Sequence, residues 1–366
     1  MTGIATIRAE AARLRERFEA AGAQPVHCAI LQPAETLLDL YGEDIRARAY
    51  VTQDPSRGEQ MLRPDFTVPV VQMHMDAMKN GAVEPARYTY SGAVFRRQDE
   101  NPERDSEYLQ VGYEVFDRSE PALTEADVFV RIAGALGDLP LRAATGDIGL
   151  LKAAVEGLDT SERRKAALRR HIWRPRRFRA LLERFAGRSP APASRAALLA
   201  QADPMARMGQ HVGLRSETEI AARIAGLRED AETPPLSVAQ VDLIEALLAV
   251  RETLPHALER LRDIAVDLPW VAHAVDRLAA RCEALARRGV DIDGLEFEGS
   301  YGRTSMEYYD GFVFGLYAEA RPDLPPVATG GRYDALTAAL GGGRSIPAVG
   351  GGIRPGLVLK LSEGRR

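Results

Sequence analysis

This 366-residue sequence predicts an α+β fold: an antiparallel sheet flanked by helices, with a helical insertion. Three observations predict it. Residues 88–116 (YTYSGAVFRRQDENPERDSEYLQVGYEVF) hold two alternating apolar/polar runs, Tyr88–Phe95 and Tyr108–Phe116, around a charged tip, the pattern of a long antiparallel hairpin. From about residue 150 to 288 the chain is rich in Ala, Leu, Arg and Glu, with few β-branched residues and no convincing strand. After 290 the strand signals return. Strand-rich, helix-rich, strand-rich order implies one α+β domain interrupted by a helical module, divided as 1–150, 151–288 and 289–366.

The elements follow in order. Ile4, Ile7, Ala11, Leu14 and Phe18 recur at helical spacing among Arg and Glu, an amphipathic helix ending near Gly22. Residues 26–116 read as strands and loops punctuated by Pro33, Gly42, Pro55, Gly58 and Pro64, with a short helix at Gln72–Met78. A further helix is expected over 123–137. Inside the helical stretch, 187–193 (GRSPAPA) and 233–235 (TPP) are breaks. A basic run, Arg163 to Arg188, is either a docking patch for a phosphate-bearing ligand or acidic partner, or a solvated helix face. Leu295–Phe297 and Glu307–Tyr317 read as strands. Thr329–Gly343 reads as a glycine-rich turn leading into an amphipathic helix, before the glycine-rich stretch 347–361.

Composition narrows the function classes. With 45% hydrophobic and 27% charged residues the chain can bury a sizeable core. A net charge of −4 argues against a dedicated nucleic-acid binder. Only Cys28 and Cys282 occur, without metal-ligand spacing, so neither a zinc site nor disulfide stapling is expected. Cys282 lies on the stripe Val271, Val275, Leu278, Cys282, Leu285 and is expected to be a buried thiol. No signal-peptide pattern and no apolar run of membrane-spanning length is present, so a cytoplasmic protein with no membrane contact is expected. Neither a Walker loop nor a dinucleotide fingerprint appears, and the six histidines are scattered, so no cofactor and no catalytic triad are predicted.

The hairpin carries the most chemistry. Arg96-Arg97 at a strand end offers a rigid cationic fork for a carboxylate or phosphate. Gln110 and Glu114, four apart on one strand, face the same side. Arg63-Pro64-Asp65-Phe66-Thr67 adds a carboxylate and a hydroxyl after a proline-fixed bend, and the glycines at 330–331 and 350–352 allow close backbone approach to a ligand.

These segments, with Tyr308-Tyr309 and Gly330-Gly331-Arg332-Tyr333-Asp334, occur in an order and spacing that resemble the catalytic domain of histidyl-tRNA synthetases, a class II aminoacyl-tRNA synthetase-like fold. Leu40–Ile45 and the run Gly58 to Pro64 resemble that family's first motif region. The likeness covers roughly 25–150 and 290–361, with the helical stretch where such synthetases carry an insertion. It implies a histidine-binding pocket. Asp65, Thr67 and Gln110 would hold the α-ammonium, Glu114 and a tyrosine of the Tyr308/Tyr309 pair would meet the imidazole, and Arg96 would stand near negative charge. A buried ammonium needs a carboxylate, and imidazole needs both a donor and an acceptor.

Three departures fall on the ATP side. The hairpin-tip motif of the family, Phe-Arg-x-Glu, has Gln98 at its last position; Thr304 stands where the family has an arginine; Pro355 replaces the arginine ending the third motif. Arg303, one residue early, offers a partial substitute if its side chain turns the right way. Each such cation is worth about 10²–10³-fold in rate. The resemblance further implies no C-terminal anticodon-binding domain after Arg366. A histidine pocket without ATP chemistry resembles the regulatory subunits of ATP phosphoribosyltransferase. That likeness implies a non-catalytic dimer, joined in a hetero-octamer to a short-form catalytic subunit that condenses ATP with phosphoribosyl pyrophosphate in histidine biosynthesis, with feedback inhibition by histidine. The competing expectations are a synthetase-like ligase that adenylates an amino acid for a non-tRNA acceptor, and a tRNA-binding sensor, which the acidic composition disfavours.

Overall fold

The computed structural model describes residues 3–98, 105–206, 213–304 and 306–363. The hairpin tip at 99–104, position 305 and the last three residues, Arg366 included, lie outside them, as do the side chains of 42–44 in the Leu40–Ile45 segment. In chain order the first part comprises α1 (Ile4–Ala20), β1 (Gln24–Pro25), β2 (Leu31–Pro33), α2 (Ala34–Arg48), β3 (Val51–Asp54), β4 (Gly58–Leu62) and α3 (Thr67–Lys79). It continues with β5 (Ala86–Phe95), β6 (Glu107–Phe116), α4 (Pro121–Ala135), β7 (Leu141–Asp147) and α5 (Ile148–Glu156). The middle stretch adds α6 (Glu162–Arg170), α7 (Pro175–Phe185), α8 (Ala193–Leu199), α9 (Glu217–Glu232), α10 (Val238–Ala249), β8 (Arg251–Thr253), α11 (Leu254–Asp267) and α12 (Ala272–Arg287). Last come β9 (Glu296–Glu298), β10 (Phe312–Ala318), β11 (Ala328–Arg332), α13 (Asp334–Leu340), β12 (Ala348–Ile353) and α14 (Pro355–Glu363).

Nine of the described strands form one sheet in the order β1-β5-β6-β12-β11-β10-β7-β9-β8, and β2-β4-β3 form a small separate one. The central run from β5 to β7 is antiparallel throughout; β1 pairs in parallel with β5, and β9 in parallel with β7. The expected hairpin is there, with ten residues on each strand in a register that sets Tyr88 opposite Glu114 and Gly92 opposite Gln110. Helices α1 and α4 lie against this sheet, burying Ala11, Leu14 and Phe18 from one and Val128, Phe129 and Ile132 from the other. The α1 stripe is the one its spacing predicts, and Gly22 ends it at φ 87°.

Several expectations need correction. Residues 34–48 are a helix, not a loop: Ala34, Leu38, Tyr41 and Ile45 recur at i, i+4, i+7 and i+11 and are all buried, which outweighs the propensity cost of Gly42. The short helix at Gln72–Met78 begins earlier, at Thr67. Strand β10 starts at Phe312, because 307–311 instead form the turn that carries Tyr308 and Tyr309. The glycines at 330–331, read as a turn, lie in strand β11, paired with those at 350–352 in β12. Strand β8 stands within the stretch read as free of strands; it pairs with β9 at the sheet edge.

The middle stretch is otherwise helical, and the breaks fall between α7 and α8 and between α9 and α10. Its last helix, α12, packs on α4, and the Cys282 thiol is buried on the predicted stripe. Arg281 on the same helix is 2% exposed and joins Glu125 (2.9 Å) to Asp147 (2.8 Å). The basic run is neither a uniform solvated face nor a uniform patch. Arg164 is buried, bonded to Asp230 (2.6 Å) and to the carbonyls of Thr233 and Pro234, where it caps the C-terminal end of α9. Arg169 pairs with Glu156, Arg174 with Glu307, and Arg188 with Glu183 and Asp242.

Candidate ligand-binding site

Five segments converge over the centre of the large sheet. Strand β6 supplies Gln110 and Glu114. The bend between β4 and α3 supplies Asp65, and the first residue of α3 is Thr67. The turn before β10 supplies Tyr308 and Tyr309, and Arg96 follows the end of β5.

Glu114 is fully buried and accepts three hydroxyl hydrogen bonds: from Thr67 (3.0 Å) and Tyr90 (3.0 Å) on Oε1, and from Tyr333 (2.5 Å) on Oε2. Asp65, also buried, accepts from Tyr41 (2.9 Å) on Oδ1 and from Tyr308 (2.9 Å) on Oδ2. Two carboxylates thus sit in cages of hydroxyl groups. Burial pushes Glu114 up to about 7, with the Asp65 charge adding to it and the three hydroxyl donors resisting. Asp65 is also raised, again by burial, against the pull of Arg96 and its two tyrosines.

Glycines make room for this cage. A Cβ on Gly350, which pairs with Glu114 across β12 and β6, would lie 1.5 Å from Glu114 Oε2, and one on Gly352 would lie 2.0 Å from Gln110 Nε2. No side chain fits there without displacing the polar groups, which explains glycine within a buried strand. The Tyr90 ring lies across Gly112 and stacks on Phe66 at 4.2 Å.

Each predicted residue can now be placed. Asp65, Thr67, Glu114 and Tyr308 share one hydrogen-bonded network. Tyr309 packs edge-on against Tyr308 (4.9 Å) and beside Gly331, within electrostatic reach of both carboxylates. Gln110 lies on the same face of β6 as Glu114, and its buried Oε1 accepts no hydrogen bond. Arg96 donates to the Pro64 carbonyl (2.7 Å) and is the cation nearest Asp65 in charge terms. Tyr41, Tyr90 and Tyr333 were missed, although each donates to one of the two carboxylates. Asp65 and Glu114 share one nearby arginine, and burial disfavours the charge on each, so an ammonium or imidazolium group placed between them would be matched by their ionised forms.

The other side of the cleft differs. Arg303 does not replace the missing cation. Its Nε donates to the Ile172 carbonyl (2.8 Å) and its guanidinium lies over Phe178 (4.8 Å), so it points into the helical stretch. Thr304 is exposed. Pro355 is the first residue of α14, and Arg354 lies over the Tyr108 ring (4.9 Å). Among the described residues no group of three or more His, Cys, Asp or Glu is placed to hold a metal ion, and no helix is long and apolar enough to cross a membrane.

Comparison with known proteins bears on the family and the fold. The histidyl-tRNA synthetase family profile matches residues 3–232 and 221–356. The ATP phosphoribosyltransferase regulatory subunits of Brucella ovis and Brucella canis are each 31% identical over 356 residues, covering 92% of this chain and 93% of theirs. Among solved structures, an ATP phosphoribosyltransferase regulatory subunit/histidyl-tRNA synthetase from Bacillus halodurans superposes with a TM-score of 0.68 at 20% identity, over 97% of this chain and 79% of that one. A histidine–tRNA ligase subunit from Alicyclobacillus acidocaldarius gives 0.60 at 24% identity, over 98% and 93%. These two likenesses establish the class II synthetase-like fold.

Proposed function

The chain belongs to the histidyl-tRNA synthetase family, among the regulatory subunits of ATP phosphoribosyltransferase, and we propose that it binds histidine without catalysing a reaction of its own. In this reading it acts on a separate short-form catalytic subunit, which performs the phosphoribosyl transfer that opens histidine biosynthesis. Histidine held between Asp65 and Glu114 inhibits that partner. The observation carrying the proposal is the contrast within one cleft: a fully built, buried carboxylate pair caged by tyrosines, beside a nucleotide side whose arginine positions hold Thr304 and Pro355.

The assignment of groups follows from charge. Asp65, Thr67 and the unpartnered Gln110 oxygen suit the ligand's α-ammonium. Glu114, with Tyr333 bonded to it and Tyr309 within electrostatic reach, suits the imidazole, whose two nitrogens need an acceptor and a donor. Histidine would then shift the partner through its different affinity for two quaternary states, a coupling of about 1–3 kcal/mol. The division 1–150, 151–288 and 289–366 belongs to the same proposal, as do a dimer of this chain and a hetero-octamer with the catalytic subunit. The test is reconstitution. The catalytic subunit is assayed alone and with this chain, with and without histidine. A catalytic subunit equally active and equally inhibited alone contradicts the proposal.

A further inference from the structure

One member of the basic run, Arg184, stands in a group of three arginines around a single carboxylate. Arg164 on α6 and Arg195 on α8 both donate to Asp230 near the end of α9, one to Oδ1 and the other to Oδ2, each at 2.6 Å. Both oxygens of Asp230 are therefore engaged. Arg184, in the last turn of α7, lies within electrostatic reach of all three residues. Its guanidinium and that of Arg164 lie over the same Phe185 ring, at 5.1 and 5.0 Å.

Arg184 differs from its neighbours in what it holds. Arg164 also donates to the carbonyls of Asp230, Thr233 and Pro234, and Arg195 to that of Leu227. Among the described residues Arg184 meets no hydrogen-bond acceptor and no carboxylate at ion-pair distance, and its Nε is closed off from water. Burial first, and then the charges of Arg195 and Arg164, disfavour its charged form against the pull of Asp230. The end of a helix suits a cation. A half-buried one pressed against two others is a cost that folding alone does not require.

The surroundings do not balance the group. Glu183 pairs with Arg188 and Glu229 with Arg163, so the acidic residues nearby have cations of their own. Three guanidinium groups against one carboxylate leave two positive charges, of which the carbonyl end of α9 offsets about half of one. The remainder, about 1.5, matches a phosphate monoester, whose charge near neutrality is about −1.5 to −2. A carboxylate would leave part of it unmet.

We propose that Arg184, with Arg164 and Arg195 beside it, forms a binding site for the phosphate group of a small molecule where α6, α7, α8 and α9 meet. Arg184 supplies the hydrogen-bonding fork, and the other two arginines supply the surrounding field. The site shares no residue with the Asp65–Glu114 cleft, and it stands whether or not that cleft takes histidine.

The test is calorimetric titration of the full chain, in chloride buffer, with inorganic phosphate, glycerol 3-phosphate and, as the carboxylate control, acetate. Saturable phosphate binding that weakens as salt rises is expected, with acetate about 10-fold weaker or more. Tighter binding of the monoester than of the free ion would assign the source to a phosphorylated small molecule, and the reverse order to phosphate itself. Arg184→Gln should lower phosphate affinity by about 10-fold, while Tm holds or rises and the histidine titration stays as in wild type. Arg184→Lys keeps the charge, and with it the packing, and should lose affinity by a smaller factor. No phosphate binding by wild type, or unchanged affinity in both variants, overturns the site and leaves the proposed function standing. Acetate binding as tightly as phosphate overturns the assignment to a phosphate group.

Discussion

The two sides of the cleft obey opposite rules. On one side both carboxyl groups are buried and held: Glu114 by three hydroxyls, Asp65 by two, with glycines in β12 keeping the space open. On the side where a synthetase grips a triphosphate, one position is an exposed threonine, another is a helix-starting proline, and the nearby arginine is turned toward Ile172. Arrays of buried polar groups are expensive unless completed, so the cage argues for retained recognition. On the proposed reading, the difference teaches that a binding site and a reaction centre sharing one cleft can be kept and discarded separately.

The strongest way to break this comparison is Gly350→Ala. The new methyl falls on the Glu114 carboxylate, so histidine binding should disappear, with a loss of stability of about 2 kcal/mol from overpacking; titration calorimetry and thermal unfolding check both. Next comes Glu114→Gln, which keeps the shape and removes the charge. Affinity for histidine should fall by about 100-fold, because a buried charge–charge contact is lost. Retained affinity would remove Glu114 from the site.

The same variant sharpens the comparison through pH. Glu114 is raised to about 7 in the folded chain from 4.5, so the folded state holds a proton that the unfolded state releases. Its contribution to stability is complete below about 4.5 and is lost as pH rises through 7. Tm of Glu114→Gln relative to wild type should therefore climb between pH 5 and 8. His74, buried and stacked on Phe116 at 3.9 Å, has the opposite slope. Burial lowers it to about 4, so its contribution is lost as pH falls from 6.5 toward 4. A smaller effect is expected from Gln110→Met. Its buried oxygen has no partner in the free chain, so stability should hold while histidine affinity drops about 10-fold.

How much of this the sequence could reveal depends on what each feature rests on. The hairpin was legible because strict alternation over ten residues has few other solutions, and Asp65, Thr67, Gln110 and Glu114 were legible as a motif set in a known order. Tyr41 was hidden by Pro33 and Gly42, which read as loop punctuation although the stripe Ala34, Leu38, Tyr41, Ile45 was present. Tyr90 and Tyr333 were visible as residues but not as donors. Their roles depend on ring direction across Gly112 and on β11 pairing with β12, neither of which has a local signature. The glycines of β12 were not legible as strand because their reason, the Glu114 and Gln110 side chains, comes from a strand more than 230 residues earlier in the chain. The direction of Arg303 is set by Ile172 and Phe178 in the middle stretch, a contact no spacing encodes.

The central claim is that this cleft recognises histidine and no longer activates it. Histidine-dependent ATP–pyrophosphate exchange, run beside a calorimetric titration with histidine on the same purified chain, tests it most directly. The account predicts saturable histidine binding with no exchange above background. Exchange that rises with histidine concentration contradicts it.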